Sequence, residues 1–120
     1  EAPGQLASHY APRTPLVLTN EIASVALHRQ RVGALSWSRA GLVGFAAERT
    51  LSASADLREA AANLFRYLRE LDEAGLDLIV AQQVPDTGLG VAINDRLRRA
   101  AAKNDGGVSS GARGTPERSL

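Results

Sequence analysis

The clearest hydrophobic pattern in the chain is a helical stripe in its second half. Apolar residues recur there at steps of three and four, the spacing of one helix face. Asp56 stands before the stripe with Glu59 three places later, as in a capping box, and Gly75 follows it as a stop signal. We predict a helix from Asp56 to about Ala74. Its buried face would consist of Leu57, Ala60, Ala61, Leu64, Leu68 and Leu71.

Shorter apolar runs predict β-strands, because each is shorter than an ordinary helix. The runs are "PLVLT" from Pro15, "VGALSW" from Val32, "GLVGFA" from Gly41 and "LDLIVAQQV" from Leu76. A weaker candidate is "TLSASA" from Thr50, in which polar and apolar residues alternate.

Two more segments have helical patterns. "EIASVALHRQR" follows Asn20, a candidate cap, and "GVAINDRLRRAAAK" follows Gly88 and ends in basic residues. Strands therefore alternate with helices along the chain. This order is typical of an α/β fold with a mostly parallel sheet flanked by helices.

The two ends of the chain lack these patterns. Residues 1–14 contain Pro3, Gly4 and Pro12, which favour an extended linker. Residues 104–120 are rich in Gly, Ser and Arg and predict a disordered tail. The α/β domain would then occupy residues 15–103, a length of about 90 residues that is sufficient for a small core.

Composition narrows the possible functions. The chain has 120 residues, a net charge of +1 and no cysteine, which excludes disulfides, thiolate metal sites and cysteine nucleophiles. Its two histidines lie far apart, so we expect no metal site. No apolar run approaches the roughly 18 residues of a membrane helix, and we expect a cytoplasmic protein. Because no methionine is present, we also expect a processed or excised piece.

Three groups of residues could carry chemistry, and each has a structural alternative. The glycines of "DTGLGVAIN" could bind an anion, but without a complete phosphate-loop motif they favour the geometry of a helix start. The acidic run at Glu70, Asp72 and Glu73 is more typical of a solvated helix face than of paired catalytic carboxylates. The basic end of the last helix complements the helix dipole, with RNA contact as the alternative. This basic group is Arg96, Arg98, Arg99 and Lys103.

His9 and Tyr10 lie in the linker, where no periodicity predicts their burial. Ring side chains on an extended segment favour docking on another surface. The alternative is that Tyr10 folds back onto the sheet of its own domain.

The stretches "PGQLASHYAPRTPL" and "NLFRYLRELDEAGLDLIVAQQVPDTGLGVAINDRLRRAA" resemble the linker and C-terminal domain of the two-domain threonylcarbamoyl-AMP synthases, over roughly residues 2–102. Ala2 departs from the Ser-Pro-Gly usual in the family. The resemblance implies a Rossmann-like accessory domain of a tRNA-modification enzyme. That enzyme condenses threonine, bicarbonate or carbon dioxide, and ATP with magnesium, into threonylcarbamoyl-AMP, and the reaction takes place in an N-terminal catalytic domain that this chain lacks.

By the same resemblance, Tyr10 would belong to a lid over bound nucleotide, with His9 and Arg13 as further contacts. The implied partners are the catalytic domain and, through the linker, ATP or threonylcarbamoyl-AMP. We expect no cofactor, catalysis, membrane contact or direct tRNA contact for the isolated chain. The alternative is a free-standing module that binds protein or RNA without catalysis.

Overall fold

A sheet of four strands forms the centre of the structure, a computed structural model that describes residues 11–22 and 31–108, with side chains of the last helix up to Ala102. The elements in chain order are β1 (Leu16–Thr19), β2 (Val32–Ser36), β3 (Ala47–Thr50), α1 (Leu57–Asp72), β4 (Leu78–Gln82) and α2 (Leu89–Val108).

All neighbouring strands of the sheet are parallel, in the order β1-β4-β2-β3. The last of these four strands in the sequence, β4, therefore lies between β1 and β2. Val80 of β4 is opposite Val17 of β1 on one side and Ala34 of β2 on the other. The α/β fold with a parallel sheet that the sequence predicted is confirmed.

Alternation along β4 divides the core between the two faces of the sheet. Ile79 and Ala81 join the main core beneath α1 and α2, while Val80 belongs to a smaller cluster on the opposite face. All three side chains have no exposed surface. The smaller cluster consists of Ile22, Val32, Ala34 and Val80, with Leu42, Phe45 and Leu78 packed against it.

The start of α1 differs from the predicted capping box. Asp56 is the N-cap, and its carboxylate accepts a hydrogen bond from Arg58 N at 2.9 Å. Glu59, however, accepts the hydroxyl of Ser52, and Asp56 N donates to Ser52 Oγ at 2.9 Å. The buried serine thus replaces Glu59 as the acceptor for the Asp56 N–H.

The end of α1 follows the predicted stop signal closely. The helix ends at Asp72, before Ala74, and Gly75 has φ of 72°, a left-handed conformation that favours glycine. Arg31 donates from Nε to the carbonyl of Gly75 at 3.0 Å and so places positive charge beside the helix C-terminus.

Two predicted strands were wrong. "GLVGFA" is a loop, because Gly41 and Gly44 have positive φ values of 74° and 94°, and the third strand is Ala47–Thr50 instead. "TLSASA" forms a turn after Thr50, in which Ala55 has φ of 59°. Apolar spacing alone did not reveal these left-handed positions.

The predicted helix over residues 21–31 falls largely on residues 23–30, outside the described residues. The last helix continues to Val108, past the Lys103 that the sequence indicated. Within residues 11–22 and 31–108, no helix has the length and apolarity needed to cross a membrane.

Replacing Leu68 of α1 with alanine should lower the free energy of unfolding by about 2–5 kcal/mol, since the substitution leaves a cavity in the core. Leu68 is 1% exposed. The measurement is equilibrium denaturation of the chain in urea. Leu89→Ala is the control, because Leu89 is 48% exposed and the same truncation there should cost under about 1 kcal/mol. Equal losses for the two variants would contradict the assigned core.

Candidate functional site

The linker meets the domain at the amino edge of the sheet, where the strands begin. Pro15, the first residue after the linker, accepts through its carbonyl a hydrogen bond from Ile79 N at 2.8 Å, which pairs it with the start of β4. Asp72, the last residue of α1, lies beside the two preceding linker residues, Arg13 and Thr14. We call Asp72, Arg13 and Thr14 the linker anchor.

The carboxylate of Asp72 accepts three hydrogen bonds within the linker anchor. Its Oδ1 accepts from Thr14 N at 2.9 Å and from Thr14 Oγ1 at 2.7 Å. Its Oδ2 accepts from Arg13 N at 3.2 Å. Thr14 is 9% exposed and Pro12 is buried, so the end of the linker is packed into the domain as well as hydrogen-bonded to it.

Among the predicted site residues, the structure describes Arg13 but not His9 or Tyr10, which lie outside the described residues. Arg13 is exposed and contributes its backbone N–H to the linker anchor. Asp72 was not predicted as a site residue. The sequence signal was its place near the C-terminus of the predicted helix. An acidic side chain there interacts unfavourably with the helix dipole, which favours hydrogen-bond donors nearby that compensate for it.

The acidic run does not form a pair of catalytic carboxylates. Glu70 Oε1 accepts from Arg49 Nε of β3 at 2.7 Å, while Asp72 belongs to the linker anchor. Arg66, four residues before Glu70, donates to Asn63 Oδ1 at 2.7 Å and lies over the ring of Tyr67. Glu70 and Asp72 therefore have separate structural partners.

The carboxyl edge of the sheet is the usual ligand site of parallel α/β folds. Here the side chain of Gln82 connects two strand ends at that edge. Its Oε1 accepts from Trp37 N at 2.9 Å, and its Nε2 donates to Asn20 O at 3.2 Å. Both ends of the amide are thus engaged in hydrogen bonds within the domain.

The glycine-rich turn before α2 has the geometry of a helix start. A Cβ on Gly90 would lie 1.8 Å from Pro85 O, so only glycine fits this close approach. Gly90 N donates to Thr87 O at 2.8 Å, and Val91 N donates to Gly88 O at 3.2 Å. Since these two N–H groups already have acceptors, the turn favours the structural interpretation over anion binding.

The basic end of α2 shows local pairing. Arg99 Nε lies 3.0 Å from Asp95 Oδ2, and both side chains are more than half exposed. Among residues 11–22 and 31–108 with described side chains, no group of three or more His, Asp or Glu could hold a metal ion.

Residues 1–102 match the family model described as the C-terminal domain of threonylcarbamoyl-AMP synthase. The chain is 35% identical over 109 residues to the threonylcarbamoyl-AMP synthase of Bacillus subtilis, a match covering 83% of this chain and 32% of the relative. It is 30% identical over 113 residues to that of Pyrococcus abyssi, covering 84% and 32%. The chain therefore spans about a third of the length of these relatives.

Among solved structures, the fold is similar to the crystal structure of P. abyssi Sua5 complexed with L-threonine. The TM-score is 0.63 at 29% identity, covering 80% of this chain and 30% of that one.

Gly90→Ala should destabilise the domain by more than about 2 kcal/mol, because the new methyl group would clash with the Pro85 carbonyl. Gly88→Ala is the matched control. Gly88 has φ of 52°, but no atom of the described residues lies within 4 Å of the added Cβ, so this variant should lose only about 1 kcal/mol. Urea denaturation measures both. A Gly90→Ala variant with wild-type stability would contradict the close approach.

Proposed function

Because the chain belongs to the family of threonylcarbamoyl-AMP synthase C-terminal domains, we propose that it is the accessory domain and active-site-covering linker of such an enzyme. The enzyme would make threonylcarbamoyl-AMP from threonine, bicarbonate or carbon dioxide, and ATP. The main support for this proposal is that the family match covers residues 1–102 and so includes the linker together with the α/β domain.

In this proposal the chemistry belongs to a catalytic domain that precedes the linker in the parent protein. Polar groups at the carboxyl edge of the sheet are already hydrogen-bonded within the domain, which supports placing the chemistry in the other domain. The side chain of Gln82 is hydrogen-bonded to the backbone after two strands, and the N–H groups of Gly90 and Val91 at the start of α2 have backbone acceptors. A reaction on ATP needs preorganised donors aimed at the triphosphate. ATP, with magnesium, is then a substrate of the parent enzyme and is held outside this domain's sheet.

The linker anchor supports a lid function for the residues before it. Thr14 is fixed at the amino edge of the sheet by the Asp72 carboxylate. The linker therefore leaves the domain at the edge opposite Gln82. We propose that Tyr10 contacts ATP or threonylcarbamoyl-AMP in the catalytic domain, and that His9 and Arg13 lie close enough to contribute.

The product would supply formation of threonylcarbamoyladenosine on tRNA, in the cytoplasm, with no direct contact between this domain and tRNA. The family match does not favour the alternative of a free-standing binding module. The parent reading frame separates the two functions. A catalytic domain encoded directly upstream of Glu1 supports the proposal, and an initiator methionine directly before Glu1 contradicts it.

Tyr10→Ala in the two-domain protein should weaken the binding of ATP or threonylcarbamoyl-AMP by roughly 5- to 150-fold, through lost ring contacts and a lost hydrogen bond. Tyr10→Phe keeps the ring and should lose only the part of the affinity that the hydroxyl contributes. Calorimetry measures the affinities, and the melting temperature of the 120-residue chain provides the control. A large drop in melting temperature with unchanged affinity would show that Tyr10 is a core residue.

The isolated chain should release no pyrophosphate from ATP in the presence of threonine and bicarbonate, since we assign the triphosphate site to the catalytic domain. The two-domain protein assayed in parallel is the positive control. Turnover by two independent preparations of the isolated chain would contradict the accessory role.

A further inference from the structure

We propose that Asp72 is a positioning residue for nucleotide binding, because its carboxylate fixes the point from which the linker extends toward the catalytic domain. This inference rests on the proposed lid function of the linker. It concerns a residue of the α/β domain whose described hydrogen bonds are made to the linker.

The bonding pattern of Asp72 suits this role. Of the three hydrogen bonds that it accepts from Arg13 and Thr14, two come from the backbone N–H groups of these residues. The carboxylate therefore holds the course of the main chain, whereas a bond to a side chain alone would leave the main chain free to shift. The Thr14 hydroxyl adds a third donor at 2.7 Å, and Thr14 is 9% exposed. Hydrogen bonds to an ionised acceptor are about twice as strong as neutral ones.

The position of Asp72 in α1 argues against a role confined to the helix. A negative side chain in the last turn interacts unfavourably with the helix dipole. Arg31 already supplies the favourable charge there, with Nε donating to Gly75 O at 3.0 Å. The hydrogen bonds that Asp72 accepts from the linker offset this unfavourable interaction, and Thr14 is 58 positions away from it in the sequence.

The geometry of the linker explains how an anchor can affect a distant ligand. A lid residue contributes fully to binding only when its conformation is organised before the ligand arrives. With Thr14 held, the preceding residues start from one position and direction. Without the carboxylate, the linker would sample more conformations, and closing the lid would cost more entropy.

Asp72→Ala in the two-domain protein should weaken ATP affinity about fivefold to thirtyfold, since a hydrogen-bonded charge is lost and the lid is less organised. The turnover rate at saturating ATP should change less than twofold, because the chemical groups stay in place. The measurement combines calorimetric ATP binding with steady-state kinetics. An unchanged ATP affinity would overturn the inference.

Asp77→Ala is the matched control for a general loss of stability. Asp77 lies at the same edge of the sheet, and its Oδ2 accepts from the backbone N–H of Arg31 at 2.8 Å. It holds β2 instead of the linker. Asp77→Ala should lower the melting temperature about as much as Asp72→Ala does, but it should leave ATP affinity within about twofold of the wild type. An equal loss of affinity in both variants would show that Asp72 acts only through stability.

A double-mutant cycle with Tyr10 separates this inference from the lid function itself. If the anchor works through the lid, Asp72→Ala should cost at most about twofold in a Tyr10→Ala background, because interacting residues are not additive. If Tyr10→Ala has no effect alone, the proposed lid function fails. If Tyr10→Ala weakens binding and Asp72→Ala adds its full effect on top, the lid stands and the anchoring role fails.

Conservative variants at Thr14 provide a second approach that leaves Asp72 intact. Thr14→Ser keeps the hydroxyl donor and should retain ATP affinity, whereas Thr14→Val is similar in shape and should weaken it.

Hydrogen exchange in the 120-residue chain reports on the anchor directly. The amides of Arg13 and Thr14 should exchange at least about tenfold faster in Asp72→Ala than in the wild type. Equal exchange rates would show that the carboxylate does not hold the linker.

Discussion

The placement of β4 between β1 and β2 is the constraint on which the rest of the structure depends. The strand pairs in parallel with both neighbours, and Ile79, Val80 and Ala81 are buried on both faces of the sheet. Since β4 follows α1 in sequence, the chain must return across the sheet before the central position is filled. The helices and the linker are then located by how the chain enters and leaves this strand.

The connection from α1 to β4 shows this dependence at the amino edge. Asp72 binds the linker, Gly75 accepts from Arg31, and Asp77 receives the backbone N–H of Arg31 at 2.8 Å. One short segment thus ties the linker, the start of β2 and the central strand together. In the proposed enzyme, the departure point of the lid is therefore set by the same contacts that complete the sheet.

Sequence patterns predicted the strands and helices whose burial is regular. The stripe of α1 has the three- and four-residue spacing of one helix face, and the apolar run of β4 is shorter than an ordinary helix; both elements lie where expected. "GLVGFA" failed because apolar content does not distinguish a strand from a loop that packs two side chains, Leu42 and Phe45, against the second face of the sheet. The serine that accepts from Asp56 N was also missed, because Glu59 had the usual spacing for that role.

The sequence by itself determined the class of fold, the extent of α1 and the resemblance to the synthase family, because each depends on local spacing or on a run of residues read in order. Tertiary structure alone decided the strand order and the partner of Asp72. A carboxylate accepts from whatever donors folding brings within about 3 Å, and Thr14 is 58 positions away. No local pattern specifies such a contact, since chain separation carries no information about distance until the sheet has formed.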